Sequence, residues 1–476
     1  VSASLKEKTI KGVFWSSIER FSVQGIQFIL GIIMARLLTP ADYGVIGMLA
    51  VFLAVSQTFV DSGFSSALIR KQNRTEVDFS TAFYFNIAIG IICYLLLFLL
   101  SPFIADFFDT PILIPVTKVV GLNVLINSFV VVQRAKLSIS IDFKTQAKAS
   151  SVAVLISGSV GLLLAYSGYG VWALAFQSVL NTGINMVLLW ILSKWRPAFV
   201  FSYESFKEMF SFGSKLLVSG LIDTIYKNLY TLIIGKKFSK EDLGYYTRAD
   251  NFTQFPSSNI TGILQRVTFP VLSSIQDDDE KLSESYRNFL RLSAFVVFPL
   301  MIGLAALAKP FILFFLTEKW VGAILLLQIL CLASMWYPIH AINLNLLQVK
   351  GRSDLFLKLE IIKKSISISI LFITVPISVT AMGVGMIVSS LLALIVNTYY
   401  TGKLIHVGFF RQMKDLLPIL FYSLLMGISV YFSISLLPNA FLQLIVGLIV
   451  GFVTYFTIAY LTKSKELKSL LSLVKK

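Results

Sequence analysis

Three stretches of this sequence set charged and amide side chains into otherwise apolar surroundings. Arg20, Gln24 and Gln27 follow i, i+4, i+7 and would share one stripe of a helix. Ser219, Asp223, Tyr226, Lys227 and Tyr230 would share another. The most polar stretch holds Arg248, Asp250, Asn251, Gln254, Ser257, Ser258, Asn259, Gln265 and Arg266, interrupted by Pro256. With Asp61 and Lys215 added, the basic members are Arg20, Lys215, Lys227, Arg248 and Arg266, and the acidic ones are Asp61, Asp223 and Asp250. That balance favours an anion that also takes many hydrogen bonds. A phosphate-bearing sugar conjugate fits it; a lipophilic cation does not. The same residue types have a blander use. Lys215, Arg248 and Arg266 lie near the ends of their stretches, where long side chains reach interfacial water, and the deeper charges can form ion pairs that only fix helix packing. Residues for covalent or metal chemistry are scarce. Cys93 and Cys331 sit in apolar runs as small buried hydrophobes, and His340 and His406 are isolated.

The elements that carry these residues follow from composition. Of 476 residues 56% are hydrophobic and 14% charged, and the mean hydropathy is +0.80. Soluble chains carry roughly 25% charge, so a soluble enzyme is excluded. Apolar stretches near the bilayer-spanning length recur throughout, at 13–35, 44–69, 79–101, 114–133, 149–166, 170–192, 212–234, 244–270, 292–308, 321–347, 365–379, 383–402, 416–437 and 441–461. The expected fold is therefore an all-α integral membrane protein of about 14 transmembrane helices. Lys6–Lys11 leads into a helix containing Glu19 and Arg20 with no small-residue cleavage pattern, so no cleavable signal peptide is expected.

The loops give an orientation. With the N-terminus inside, only Arg36, Lys118, Lys236, Lys237, Lys240, Lys309 and Lys319 fall on outer loops. Inner segments, among them 70–74 with Arg70, Lys71 and Arg74 and the stretch 194–207, hold about four times as many basic residues, which places both termini in the cytoplasm. The net charge of +16 is then loop charge, and no nucleic-acid partner is implied. No Walker-type loop is present for ATP hydrolysis. The run Asp277–Glu280 reads as a solvated surface, and an outer-face transferase would have only Asp106 and Asp109 as a carboxylate pair. The chain is expected to be no enzyme and to bind no metal. A coupling proton or Na⁺, or the membrane potential, is the only auxiliary it would need.

An internal repeat organises the helices. Residues 35–44, with Asp42 and Gly44, align without gaps on residues 235–244, with Asp242 and Gly244. In each copy the Asp can cap the new helix and the Gly can take a tight turn. The chain then divides into a six-helix lobe at 1–193, a cytoplasmic linker at 194–210, a second six-helix lobe at 211–405, and two additional helices with a basic tail at 406–476. An even number of spans per half makes the repeats parallel. A cavity lined by the polar stripes is the economical site.

Several segments carry a family resemblance: the opening Leu5–Ser16, the copies at 35–44 and 235–244, and above all Asp242–Ala249 continuing to Pro256 and Arg266–Pro270. With these the chain resembles the Wzx-type oligosaccharide flippases of the MATE-like superfamily that exports drugs, oligosaccharidyl lipids and polysaccharides, in the branch exporting colanic and teichuronic acids. The resemblance covers essentially the whole chain. It implies two six-helix lobes in a V with two extra C-terminal helices in a bacterial cytoplasmic membrane. The implied substrate is an undecaprenyl-diphosphate-linked glycan, flipped by alternating access beside membrane lipids, a polysaccharide polymerase and glycosyltransferases. The related lipid II flippases place arginines in a central cavity, and Arg20 and Arg248 look comparable. A cation antiporter of the same fold, or a membrane scaffold for polysaccharide synthesis, are the alternatives. The first would need an acidic cavity; the second has no use for a hydrated interior.

Overall fold

The computed structural model describes residues 23–61 and 63–468, and the regular structure in them is helical. The described part of α1 is Val23–Leu37. It is followed by α2 (Pro40–Asp61), α3 (Phe64–Arg70), α4 (Glu76–Phe107), α5 (Leu113–Ser128), α6 (Val131–Ile139), α7 (Phe143–Tyr166), α8 (Val171–Ser193) and α9 (Tyr203–Lys237). Then come α10 (Lys240–Ser274), α11 (Asp279–Ala306), α12 (Ala308–Phe315), α13 (Ala323–Ser334), α14 (Tyr337–Val349), α15 (Ser353–Thr374), α16 (Val379–Ile405), α17 (Phe409–Ser435) and α18 (Ala440–Leu461).

Helix lies at each of the fourteen expected spans, but not all of it has the character of a span. Among the described residues nine helical segments are long and apolar enough to cross a membrane, or ten if α5 and α6, bent by 41°, form one. The described part of α1 is short, and α9, α10 and α15 are too polar to qualify. Several helices also outrun their apolar stretch. α11 starts at Asp279 rather than near residue 292 because Asp278 caps it, accepting from the Lys281 amide at 3.0 Å. α9 starts at Tyr203, with the Ser202 hydroxyl accepting from Ser205. A capped amphipathic turn continues a helix into water at no backbone cost.

The chain forms two compact units, residues 1–244 and 245–476. In the first, the start of α4 is an anchorage point. Thr75 and Asp78 form a capping box, Glu76 pairs with Lys136 of α6 at 2.8 Å, and the Trp195 indole donates to Glu76 at 2.6 Å. The segment before α9 is strapped down by Ala198 and Ser202 amides donating to the Ser80 and Thr81 hydroxyls, each at 3.0 Å. Behind them lies an apolar cluster that includes Phe64, Leu68, Phe83, Trp195 and Met209. In the second unit α17 is held to α11 by a two-pronged Arg287–Asp415 pair, both contacts 2.7 Å. Buried Gln412 of α17 donates to Tyr286, Asn343 and Thr401 at 3.0–3.2 Å. The Tyr455 hydroxyl of α18 donates to the Phe295 carbonyl at 2.8 Å.

The two repeat copies meet inside the first unit. Thr39 and Ser239 are N-caps whose hydroxyls each donate to the following Asp42 or Asp242 at 2.7 Å, while the Asp amides donate back at 3.3 and 3.0 Å. The aspartates complete each cap by accepting from the Thr39 and Ser239 amides at 2.9 and 3.3 Å. The glycines do something other than turn. A Cβ on Gly44 would lie 1.9 Å from the Lys240 carbonyl oxygen, and one on Gly244 would lie 2.0 Å from that of Pro40. Each glycine thus admits the first residue of the other copy's helix, a reciprocal backbone contact that no side chain would permit.

Candidate functional site

The break between α2 and α3 positions the first group of residues. Gly63 has φ +72°, and a Cβ there would be 2.7 Å from the Gly213 Cα of α9. Only glycine takes that left-handed conformation against a backbone so close. The result lays α3, ending in Arg70, along the start of α9. A cavity of about 630 Å³ opens between them, walled by Arg70, Lys71, Gln72, Asn73, Glu208, Ser211, Phe212 and Lys215, with Ala67 and Met209 as its floor. Lys71 donates to Glu208 at 2.8 Å and to buried Asp78 at 2.9 Å. The Glu208 carboxylate, with Asp78 behind it, holds the Lys71 ammonium above its ordinary value, so it stays charged. The Arg70 guanidinium lies over the Phe212 ring, 4.6 Å from its centre.

Farther along α9, Asp223 and Lys227 pair at 2.7 Å in the favourable i,i+4 order. Tyr226 between them is half-buried. Thr58 of α2 and Thr224 of α9 share a hydroxyl hydrogen bond of 3.0 Å. Asp61, the last residue of α2, accepts from Gln57 at 3.1 Å. On α1, Gln24 is half-buried and Gln27 exposed. Arg20 lies outside the described residues.

α10 absorbs much of its own polarity. Ser257, Ser258 and Thr261 donate to carbonyls one turn back at 2.6–2.9 Å, and the buried Asn259 amide donates to the Phe255 carbonyl at 2.7 Å. Such bonds satisfy the hydroxyls and amides within a Ser- and Asn-rich helix that carries Pro256 and Pro270. What remains outward is a stripe of Asn251, Gln254 and Gln265, all exposed. Gln254 reaches half-buried Asp250 at 3.4 Å. Arg248 is nearly buried and faces the Trp320 and Phe252 rings at 5.8 and 5.9 Å. Arg266 is on α10, but its side chain lies outside the described set.

Among the described residues no three His, Cys, Asp or Glu side chains gather as a metal site. Asp278 is a cap, Asp279 pairs with Lys350 at 2.7 Å, and Asp109 pairs with Lys236 at 3.2 Å. His340 is not alone in space: its ring bonds Ser390 and Asn397 at 3.1 and 3.2 Å.

Sequence reasoning places Lys215 among the candidates but counts Arg70, Lys71 and Arg74 only as loop charge, and passes over Glu208. The one available signal is Gly63 inside an apolar run, which marks a break before the basic segment.

A family model described as "Polysaccharide biosynthesis protein" matches residues 33–325, more than half of the chain. The lipopolysaccharide biosynthesis protein WzxC of Escherichia coli (strain K12) is 26% identical over 452 residues, 94% of this chain and 89% of that one. A solved structure of the lipid II flippase MurJ in an inward closed conformation superposes with a TM-score of 0.77 at 16% identity, covering 94% of this chain and 98% of MurJ. An inward-facing multidrug resistance MATE family transporter superposes at 0.66 and 17% identity, over 83% of this chain and 98% of that one. The two superpositions establish a MATE-like fold, and the family match establishes kinship: this multi-span membrane protein belongs to the polysaccharide biosynthesis protein family.

Proposed function

We propose that this chain moves undecaprenyl-diphosphate-linked oligosaccharide units across the bacterial cytoplasmic membrane by alternating access, feeding surface polysaccharide assembly. The observation that carries the reading is the character of α9 and α10. They are consecutive helices, each 35 residues long, with charged and amide faces, in a multi-span family of polysaccharide biosynthesis proteins. Polar faces at membrane depth persist where they meet water or a polar ligand. On this reading Arg20, Gln24, Gln27, Lys215, Tyr226, Lys227, Arg248, Asn251, Gln254, Asn259 and Arg266 offer charge and hydrogen bonds to the diphosphate and sugars. Asp61, Asp223 and Asp250 hold the basic groups or take a coupling proton or Na⁺. Both termini are cytoplasmic, and the six-helix repeats at 1–193 and 211–405 are the moving parts. A polymerase and glycosyltransferases work beside it.

Arg20→Ala is expected to reduce glycan export about tenfold or more, since a partly desolvated Arg makes two charge-assisted bonds to a phosphate. Lys309→Ala, on an exposed side chain of α12, should export normally. Export is read as surface polysaccharide against lipid-linked units retained inside, at equal membrane levels of the two variants. Equal export would remove Arg20 from the site. The shared MATE fold supports a second reading, a cation antiporter. Vesicles that exchange an organic cation for Na⁺ or protons, and leave lipid-linked glycan in place, would decide for it.

A further inference from the structure

We infer that the cavity between the end of α3 and the start of α9 is a docking site for a phosphate or diphosphate ester, separate from the polar stripes farther along the helices. In naming a lipid headgroup as its natural occupant the inference rests on the transport reading; the anion chemistry does not. The volume of about 630 Å³ lies within the range of about 300–1,000 Å³ typical of small-molecule sites. Three cations, Arg70, Lys71 and Lys215, line it against one carboxylate, Glu208.

Those cations are not equivalent. Lys71 is engaged with Glu208 and Asp78, so its role is to hold the wall. Among the described residues no carboxylate lies within ion-pair distance of Arg70 or Lys215. The Arg70 guanidinium lies over the Phe212 ring, 4.6 Å from its centre, a contact that restrains it and leaves N–H groups for oxygen acceptors. The planar fork of a restrained arginine suits phosphate. Gln72 and Asn73, both exposed on the rim, can bond hydroxyls on whatever the phosphate carries. A cationic ligand would meet two uncompensated charges, and an apolar one would leave them desolvated without a partner.

The place is also apt. Residues 70–74 and the start of α9 belong to the segments whose charge assigns them to the cytoplasmic side. A lipid-linked substrate made in the cytoplasmic leaflet presents its phosphates at that depth. The strapping of the segment before α9 to Ser80 and Thr81 and the Gly63–Gly213 approach keep the two walls in place without a ligand, so the site is preformed.

The test uses purified full-length protein in detergent with farnesyl diphosphate, inorganic pyrophosphate and farnesol as probes, at low and high salt. Farnesyl diphosphate should bind and weaken with salt, and farnesol should not bind. Arg70→Ala and Lys215→Ala should each weaken binding about tenfold, Arg70→Lys less, and Lys309→Ala not at all. Thermal unfolding midpoints check that all variants are folded. Pyrophosphate binding as tightly as the prenyl form would mean a soluble phosphate ester is the occupant; tighter prenyl binding means a lipid headgroup. Either upholds the site. Unchanged affinity in folded Arg70→Ala and Lys215→Ala overturns it. Because binding is read without translocation, protein that binds through these residues yet moves no glycan overturns the transport reading alone. Protein that moves glycan while both variants bind like the parent overturns this site alone.

Discussion

A methyl group at Gly44 would sit 1.9 Å from the Lys240 carbonyl oxygen, and one at Gly244 2.0 Å from that of Pro40. In both cases the nearest atoms are backbone, so no side chain can swing aside and the helices themselves must part. Gly44→Ala and Gly244→Ala are each expected to cost about 3 kcal/mol, the upper end for overpacking, read as a drop in unfolding midpoint in detergent. Gly25, also helical, has nothing within 4 Å of a Cβ. There alanine should stabilise by about 0.5–1 kcal/mol. Similar midpoints for Gly44→Ala and Gly25→Ala would mean the contact is slack. Arg248 shows what residue type alone conceals. Its charge marks it as a ligand group, but its position among Trp320 and Phe252 depends on a loop more than sixty residues away.

At the scale of elements, the caps account for where helices begin better than hydropathy does. Ser239 and Asp242 satisfy each other's amide and hydroxyl at the head of α10. Ser239→Ala should lower stability by about 1 kcal/mol, and Ser239→Thr should keep it, since Thr39 fills the same position in the first copy. An unfolding midpoint for Ser239→Ala equal to the parent's would show that the box adds nothing. The spans themselves are legible in the sequence, because apolar runs of about twenty residues, recurring from end to end, suit a bilayer and little else. Their breaks are less so. Gly63 sits in a run that reads as one helix from residue 44 to 69, and only the nearness of Gly213 on α9 makes its left-handed backbone necessary. The cavity walls are hidden for the same reason. Lys71 and Glu208 are 137 residues apart, and each alone looks like solvated loop charge. By contrast, the Asp42 and Asp242 caps are readable because a cap is local: its two partners lie three residues apart.

For the whole molecule, the loop charges make a topological prediction. Lys237→Cys should label with an impermeant reagent from outside intact cells, and Asp277→Cys only after the membrane is opened. Cys93 and Cys331 are buried and should give little background. Labelling of both sites from one side would break the even-span arrangement. The Lys236–Lys240 cluster runs against the charge rule, and the structure supplies a partial reason: Lys236 is paired with Asp109 and lies over Phe107. The reciprocal glycine contact bears on how the molecule is made. Pro40 and Gly44 are synthesised about two hundred residues before the backbone that seals them, at Lys240 and Gly244, which follows only after α3 to α9 have been made. Until then the head of α2 waits with a bare backbone groove at its most closely packed point. Closing so distant a contact is slow relative to local helix formation. A nascent chain halted before residue 240 should therefore leave that groove open to proteases and insertion factors, and one halted after residue 244 should protect it.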